Sequence, residues 1–185
     1  MKRFLTMCLV FLSGLFLCSC SCKLIGPETG FKKNAVHVHL KADRDVCYYN
    51  NSPHALSMCI YQLSDKENFE EYTRSQEDLN NLLGECRSFS DRTFLSQKFI
   101  TVQPEDHLTY HFDRAENARY VGIVAGYPDM RRSDVVRIIE IPLEEEKRGF
   151  IFCEKITRLS DHTIHLYLDR NYIRDYHSIN PEDQE

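Results

Sequence analysis

The chain has 185 residues, 28 Asp and Glu against 23 Lys and Arg, a formal net charge of −5 and no clustered basic run. That balance excludes a nucleic-acid partner, because phosphate binding needs concentrated Lys and Arg. Only seven glycines occur, and none forms a phosphate cradle, so phosphate-loop enzymes are excluded as well.

The first element is a processing signal. Lys2 and Arg3 form a positive n-region, Phe4 to Leu17 is apolar, and Leu17-Cys18-Ser19-Cys20 closes it. A leucine three places before a cysteine, with a small residue directly before it, is the lipobox pattern of bacterial lipoproteins. The Cys20 thiol then takes a diacylglyceryl group, the chain is cut before it, and the freed amine is acylated. Cys18 follows bulky Leu17, and Cys22 has polar Ser19 three places ahead, so Cys20 is the lipidation site. The apolar stretch of about 14 residues falls short of the roughly 20 that span a bilayer, which argues against an uncleaved anchor. Two or three acyl chains hold firmly where a single chain binds only reversibly. Ser21, in place of Asp, favours sorting to the periplasmic face of the outer membrane. Residues 1–19 are thus a signal peptide and 20–33 a lipidated tether, broken by Gly26, Pro27 and Gly30. Extended, that tether reaches about 45–50 Å.

Residues 34–170 read as one domain and 171–185 as a polar, fraying tail. Ala35 to Lys41 alternates, with Val36, Val38 and Leu40 on one face and His37, His39 and Lys41 on the other, which is a half-buried strand. A long polar loop, 42–55, follows. Leu56 to Leu63 is continuously apolar, the pattern of an inner strand. Ser64 with Glu67 predicts a capped helix start, and Ser75 to Asp78 offers a second cap, so the segment reads either as one helix or as two short helices with a kink near Arg74. Phe69, Tyr72, Leu79, Leu82 and Leu83 make the apolar stripe, and Gly84 suits the C-terminal cap.

Strands are predicted at Gln97 to Val102, His107 to Phe112, Tyr120 to Tyr127, Asp134 to Ile141, Phe150 to Thr157 and His162 to Leu168. Gln103 to Asp106 and Arg158 to Asp161 read as hairpin connections, and Glu144 to Arg148 as a charged turn. Gly122 and Gly126 leave room for close packing. The sum is a mainly β chain: a two-sheet antiparallel β-sandwich of about eight strands, with one helical excursion after the second strand.

Four cysteines remain in this domain: Cys47, Cys59, Cys86 and Cys153. In an oxidising periplasm they permit up to two disulfides by three pairings, among which the sequence does not choose. The alternative is that Cys59 and Cys153 serve as small buried hydrophobes. No C-x-x-C occurs, so neither a redox motif nor a zinc ribbon is supported.

Nor is there a nucleophile elbow, an H-E-x-x-H or an EF-hand loop, and Glu144, Glu145 and Glu146 are adjacent and do not converge. The chain is therefore read as a non-enzyme without a small-molecule substrate or a cofactor, apart from the lipid on Cys20. His37 and His39 share a strand face on which His162 and His165, or His107 and His111, could supply a third ligand. A specific metal site needs three or four converging ligands, and none is assigned. The loop 42–55 is the best candidate for function, since it is long for a compact sandwich and holds Tyr48, Tyr49 and Asn50 together.

Residues 58 to 85, MCIYQLSDKENFEEYTRSQEDLNNLLGE, followed at 120 to 129 by YVGIVAGYPD, resemble the TssJ family. These are the outer-membrane lipoproteins of type VI secretion systems. The likeness runs from about Ala35 to Leu168, in the family's order and behind a lipobox. The Trp-Arg pair common in the family after the second motif is missing. No Trp occurs, and Arg131, Arg132 and Arg137 stand in that region. The resemblance implies a transthyretin-like sandwich with an extra helix and a structural role in the membrane complex, binding the periplasmic domain of a TssM-like inner-membrane protein. It places the partner loop at 42–55 and so singles out Asp45, Tyr48, Tyr49 and Asn50. A pilotin for a secretin and a periplasmic inhibitor lipoprotein are the rival readings. Neither explains the order of IYQL strand, helix and VGIVAGY strand.

Overall fold

Alternation builds the first layer. In the computed structural model, which describes residues 23–84, 86, 92–148 and 154–179, strand β2 (Lys32–Ala42) buries Val36, Val38, Leu40 and Ala42 and turns His37, His39 and Lys41 outward. Strand β10 (His162–Leu168) repeats the pattern with His162, Ile164, Leu166 and Leu168, and β5 (His107–Arg114) with Leu108, Tyr110, Phe112 and Arg114. These strands and β11 (Ile173–Ile179) form a four-stranded sheet in the order β11-β10-β2-β5. Its inner rows are in register, with Val38 opposite Ile164 on one side and Tyr110 on the other.

The second sheet runs β4-β3-β6-β7, from β4 (Phe94–Val102), β3 (Leu56–Leu63), β6 (Tyr120–Ala125) and β7 (Val136–Glu140). β3 is covered on both faces, which is why it reads as continuously apolar. Ile60 and Gln62 look into the sandwich. The Gln62 amide bridges the sheets, donating to the Asp113 carbonyl (2.7 Å) and accepting from the Ala115 N–H (2.7 Å). Tyr61 faces the other way, under helices α1 (Lys66–Glu71) and α2 (Gln76–Leu83). Its hydroxyl donates to the Leu82 carbonyl (2.5 Å), and its ring lies 5.7 Å from Phe69 and 5.4 Å from Phe94. Phe69 sits directly over Gly122, where a Cβ would stand 2.8 Å from the ring. Only glycine admits that approach.

The helical segment is two helices. The second has the Ser75–Asp78 capping box, but the first is capped by Asp65, which accepts from the Glu67 N–H (3.0 Å). Ser64, predicted as the cap, instead donates to the Arg92 carbonyl (3.2 Å). Gly84 caps α2 at φ −67°, a conformation open to any residue. A single helical turn, α3 (Arg132–Val135), stands where the start of the 134–141 strand was expected.

Three segments expected to be irregular are strands. β1 (Lys23–Glu28) lies in the predicted tether, β8 (Leu143–Arg148) in the predicted charged turn and β11 in the predicted tail. With β9 (Glu154–Leu159), β1 and β8 make a third sheet in the order β1-β9-β8. Their sequences, KLIGPE, LEEEKR and IRDYHSI, lack an apolar rhythm because pairing alone satisfies their backbones. β1 is an edge strand, and its register slips between Ile25 and Glu28, where Gly26 and Pro27 fall. The chain is mainly β, a sandwich-like arrangement of sheets as expected; the described residues hold eleven strands where about eight were expected, and two pairings, β1–β9 and β2–β10, are parallel.

Neither predicted hairpin connection joins a hairpin. Gln103 to Asp106 carries the chain from β4 in one sheet to β5 in the other, turning through Glu105 at φ 64°. Arg158 to Asp161 likewise passes from the third sheet to the first. Periodicity marks which residues are buried but not which strand lies alongside, and here burial against β3 and β2 selected the partners.

Arg114 ties the first sheet to the third. Only 4% exposed, it donates through Nη1 to the Leu159 (2.8 Å) and Ser160 (3.2 Å) carbonyls and through Nη2 to Gly30 (3.3 Å). On the helix side Cys59 is bonded to Cys86. Cys47 keeps a free, buried thiol, so it takes no part in a disulfide, and Cys153 lies outside the described residues.

Candidate functional site

The loop 42–55 is a built structure. Asp43 N–H donates to the Leu168 carbonyl (2.8 Å), Tyr48 N–H to Arg170 (3.2 Å) and His54 N–H to Val46 (3.4 Å), pinning it to the β10–β11 connection and to itself. Val46 and Cys47 are buried under it. Its tip is a two-residue turn. Tyr49 and Ser52 exchange both backbone hydrogen bonds (3.1 and 3.0 Å), and Asn50 and Asn51 stand at φ 49° and 61°. Positive φ at both central residues is the hallmark of a type I′ turn, and asparagine tolerates it because its short polar side chain bonds locally.

The predicted partner residues divide. Tyr49 is 41% exposed and stacks on His54 at 3.7 Å, and Asn50 is exposed beside it. His54 Nε2 lies 3.0 Å from Ser52 Oγ and 3.1 Å from the Tyr49 carbonyl oxygen, bracing the turn from within. Tyr48 is half-buried beneath the Arg170 guanidinium, 3.8 Å above its ring, a cation–π contact that anchors the loop. Asp45 belongs to the preceding turn, with its N–H on Asp43 Oδ1 (3.2 Å). Asn51, His54, Arg170 and the exposed Tyr172 were missed. The Asn-Asn pair was a readable I′ signal, whereas Arg170 and Tyr172 come from a distant segment. Tyr127 braces that segment, its hydroxyl 3.0 Å from the Asp169 and Tyr172 carbonyl oxygens. Burial raises the Tyr127 pKa, so the hydroxyl stays a donor.

The histidines meet in pairs on the outer face of the first sheet. His37 and His111 are cross-strand partners with Nδ1 atoms 2.6 Å apart, and His39 stacks on His165 at 4.7 Å. Burial, and then the neighbouring His111, lowers the His37 pKa. Among the described residues no three metal-ligating side chains converge. His162, once a candidate third ligand, points the opposite way into the core.

Burial holds the His162 pKa down at about 4, and neither ring nitrogen has a hydrogen-bond partner among the described residues. The unfolded chain takes up this proton near 6.5 and the folded protein only near 4, so between those values the unfolded state binds more protons. The His162 contribution to stability is then flat above pH 7 and falls by up to about 3 kcal/mol as pH drops from 6.5 to 4. Urea midpoints at pH 7 and 4.5 measure this, and His162→Phe is expected to flatten the slope.

The family model described as "Type VI secretion lipoprotein, VasD, EvfM, TssJ" matches residues 34–171. The chain belongs to this family.

Solved structures agree in fold. TssJ1 from Pseudomonas aeruginosa superposes with a TM-score of 0.54 at 15% identity, over 80% of this chain and 96% of that one. Serratia marcescens Lip, described as a membrane-bound component of the type VI secretion system, gives 0.55 at 15% over 79% and 97%. A structure described as the TssM C-terminal domain (869–1107) from EAEC gives 0.53 at 15% over 78% and 98%. A comparison with curated proteins finds no match. The family is a structural lipoprotein component of the secretion system and not an enzyme family. In the region where the family's Trp-Arg pair is missing, the arginines hold structure. Arg132 Nε donates to Thr73 Oγ1 (2.8 Å), tying α3 to the end of α1, and Arg137 donates to the Ser133 carbonyl (2.8 Å) and to that of Ile173 on β11.

Proposed function

We propose that this type VI secretion lipoprotein is anchored through a lipid on Cys20 to the periplasmic face of the outer membrane. There it binds the periplasmic domain of a TssM-like protein as a structural part of the membrane complex. Cys20 and the preceding signal lie outside the described residues, and the lipobox carries that part of the reading. The loop end carries the rest. A braced I′ turn presents Tyr49, Asn50 and Asn51 on a rigid support, with Tyr172 exposed on the segment to which the loop is bonded. Rigid exposed tyrosines give contact area at low entropic cost.

Tyr48→Ala with Tyr49→Ala is expected to weaken binding of the TssM periplasmic domain at least tenfold in isothermal titration. Because Tyr48 also anchors the loop under Arg170, Tyr49→Ala with Tyr172→Ala isolates the exposed surface. Unchanged affinity in that second variant, with an unchanged thermal midpoint, contradicts the reading.

A further inference from the structure

The third sheet is foreign to a simple two-sheet sandwich, and it captures the chain immediately after the anchor. Lys23, three residues beyond Cys20, is already paired with Glu154 of β9, and pairing continues to Glu28 opposite Arg158. Six residues of the expected tether are thus paired to the domain, and Lys23 is three residues, at most about 10 Å of extended chain, from Cys20.

Charge is sorted along this sheet. The first row, nearest the anchor, sets Lys23, Glu154 and Arg148 side by side, and the second pairs Lys147 with Lys155. Those rows hold four cations against one anion. At the other end Glu28 and Glu144 flank Arg158. A protein of net charge −5 has therefore gathered cations at the end that its own lipid brings to the bilayer.

We infer that the Lys23–Arg148 end of the β1-β9-β8 sheet is a membrane seat: it rests on phospholipid headgroups and holds the domain directly against the bilayer instead of letting it hang from a tether. The inference rests on lipidation at Cys20. Phosphate groups supply the complementary charge, and each Lys or Arg near an anionic surface adds about 1 kcal/mol.

The chain has no Trp, so one introduced Trp is a clean reporter. Arg148→Trp and Glu144→Trp place it at the two ends of β8, about 13 Å apart on one face. The lipidated full-length protein is floated on phosphatidylethanolamine–phosphatidylglycerol vesicles, 3:1, whose acyl chains are brominated close to the headgroup. The expected result is at least twofold stronger quenching at 148 than at 144, reduced to the level at 144 when Lys23→Glu and Lys147→Glu are added, with flotation unchanged. Equal quenching at 148 and 144 in floating protein would overturn the seat and leave the anchor standing. Failure of the protein to float would overturn both.

Discussion

Arg114→Met is expected to lower the unfolding free energy by about 3–5 kcal/mol, the cost of losing three charge-assisted hydrogen bonds to backbone carbonyls. Arg114 ties the sheet that holds β5 to the β1-β9-β8 sheet. Its guanidinium, on the inner face of β5, supplies donors to carbonyls at the end of β9, in the turn before β10 and in the turn between β1 and β2. Methionine keeps the aliphatic stem of the side chain and supplies no donor, so three carbonyls lose their partner, while Asp161 keeps its ion pair with Lys32 (2.7 Å). Arg114→Lys keeps the charge but not the fork, and should fall between the two. Denaturant titration at pH 7 reads the effect. A loss below 1 kcal/mol for the methionine variant would mean that these carbonyls do not depend on Arg114.

Breaking the Cys59–Cys86 bond is the second large effect. The cysteines are 27 residues apart, and closing a loop of that size restricts the unfolded chain by roughly 3.5 kcal/mol. Cys86 follows α2 and Cys59 lies on the face of β3 that the helices cover, so the bond clamps the helical layer to the sheet. Cys59→Ala should lower the thermal midpoint by about 10 °C or more, as a loss of that size does in a domain of this length. Dithiothreitol should do the same to the unaltered protein. Cys47→Ala should leave the response to reductant intact, because Cys47 is unbonded. Equal stability of oxidised and reduced protein would refute the clamp.

Much of the architecture was legible because burial has a period. Val36 to Ala42 and His162 to Leu168 announce their inner faces by alternation, and Leu56 to Leu63 announces two covered faces by having none. The I′ tip has a local signal too, in Asn50-Asn51, whereas length and tyrosines mark only the loop around it. β1, β8 and β11 were not legible. A polar strand held by backbone pairing leaves the same composition as a turn or a tail, so Gly26-Pro27 and Glu144 to Arg148 point to loops until a neighbour is present.

The sequence by itself determined the family, the β-rich class, the helical segment and the segment that carries the candidate interface. Those depend on local patterning and on motifs that are contiguous in the chain. Only the tertiary structure decided that β2 and β10 run parallel, that the presumed tether is a strand, that Cys59 takes Cys86, and that Arg170 stands over Tyr48. Each of these is a choice of partner across dozens of residues, made by which buried surfaces and backbone groups can be satisfied together, and no local periodicity records it.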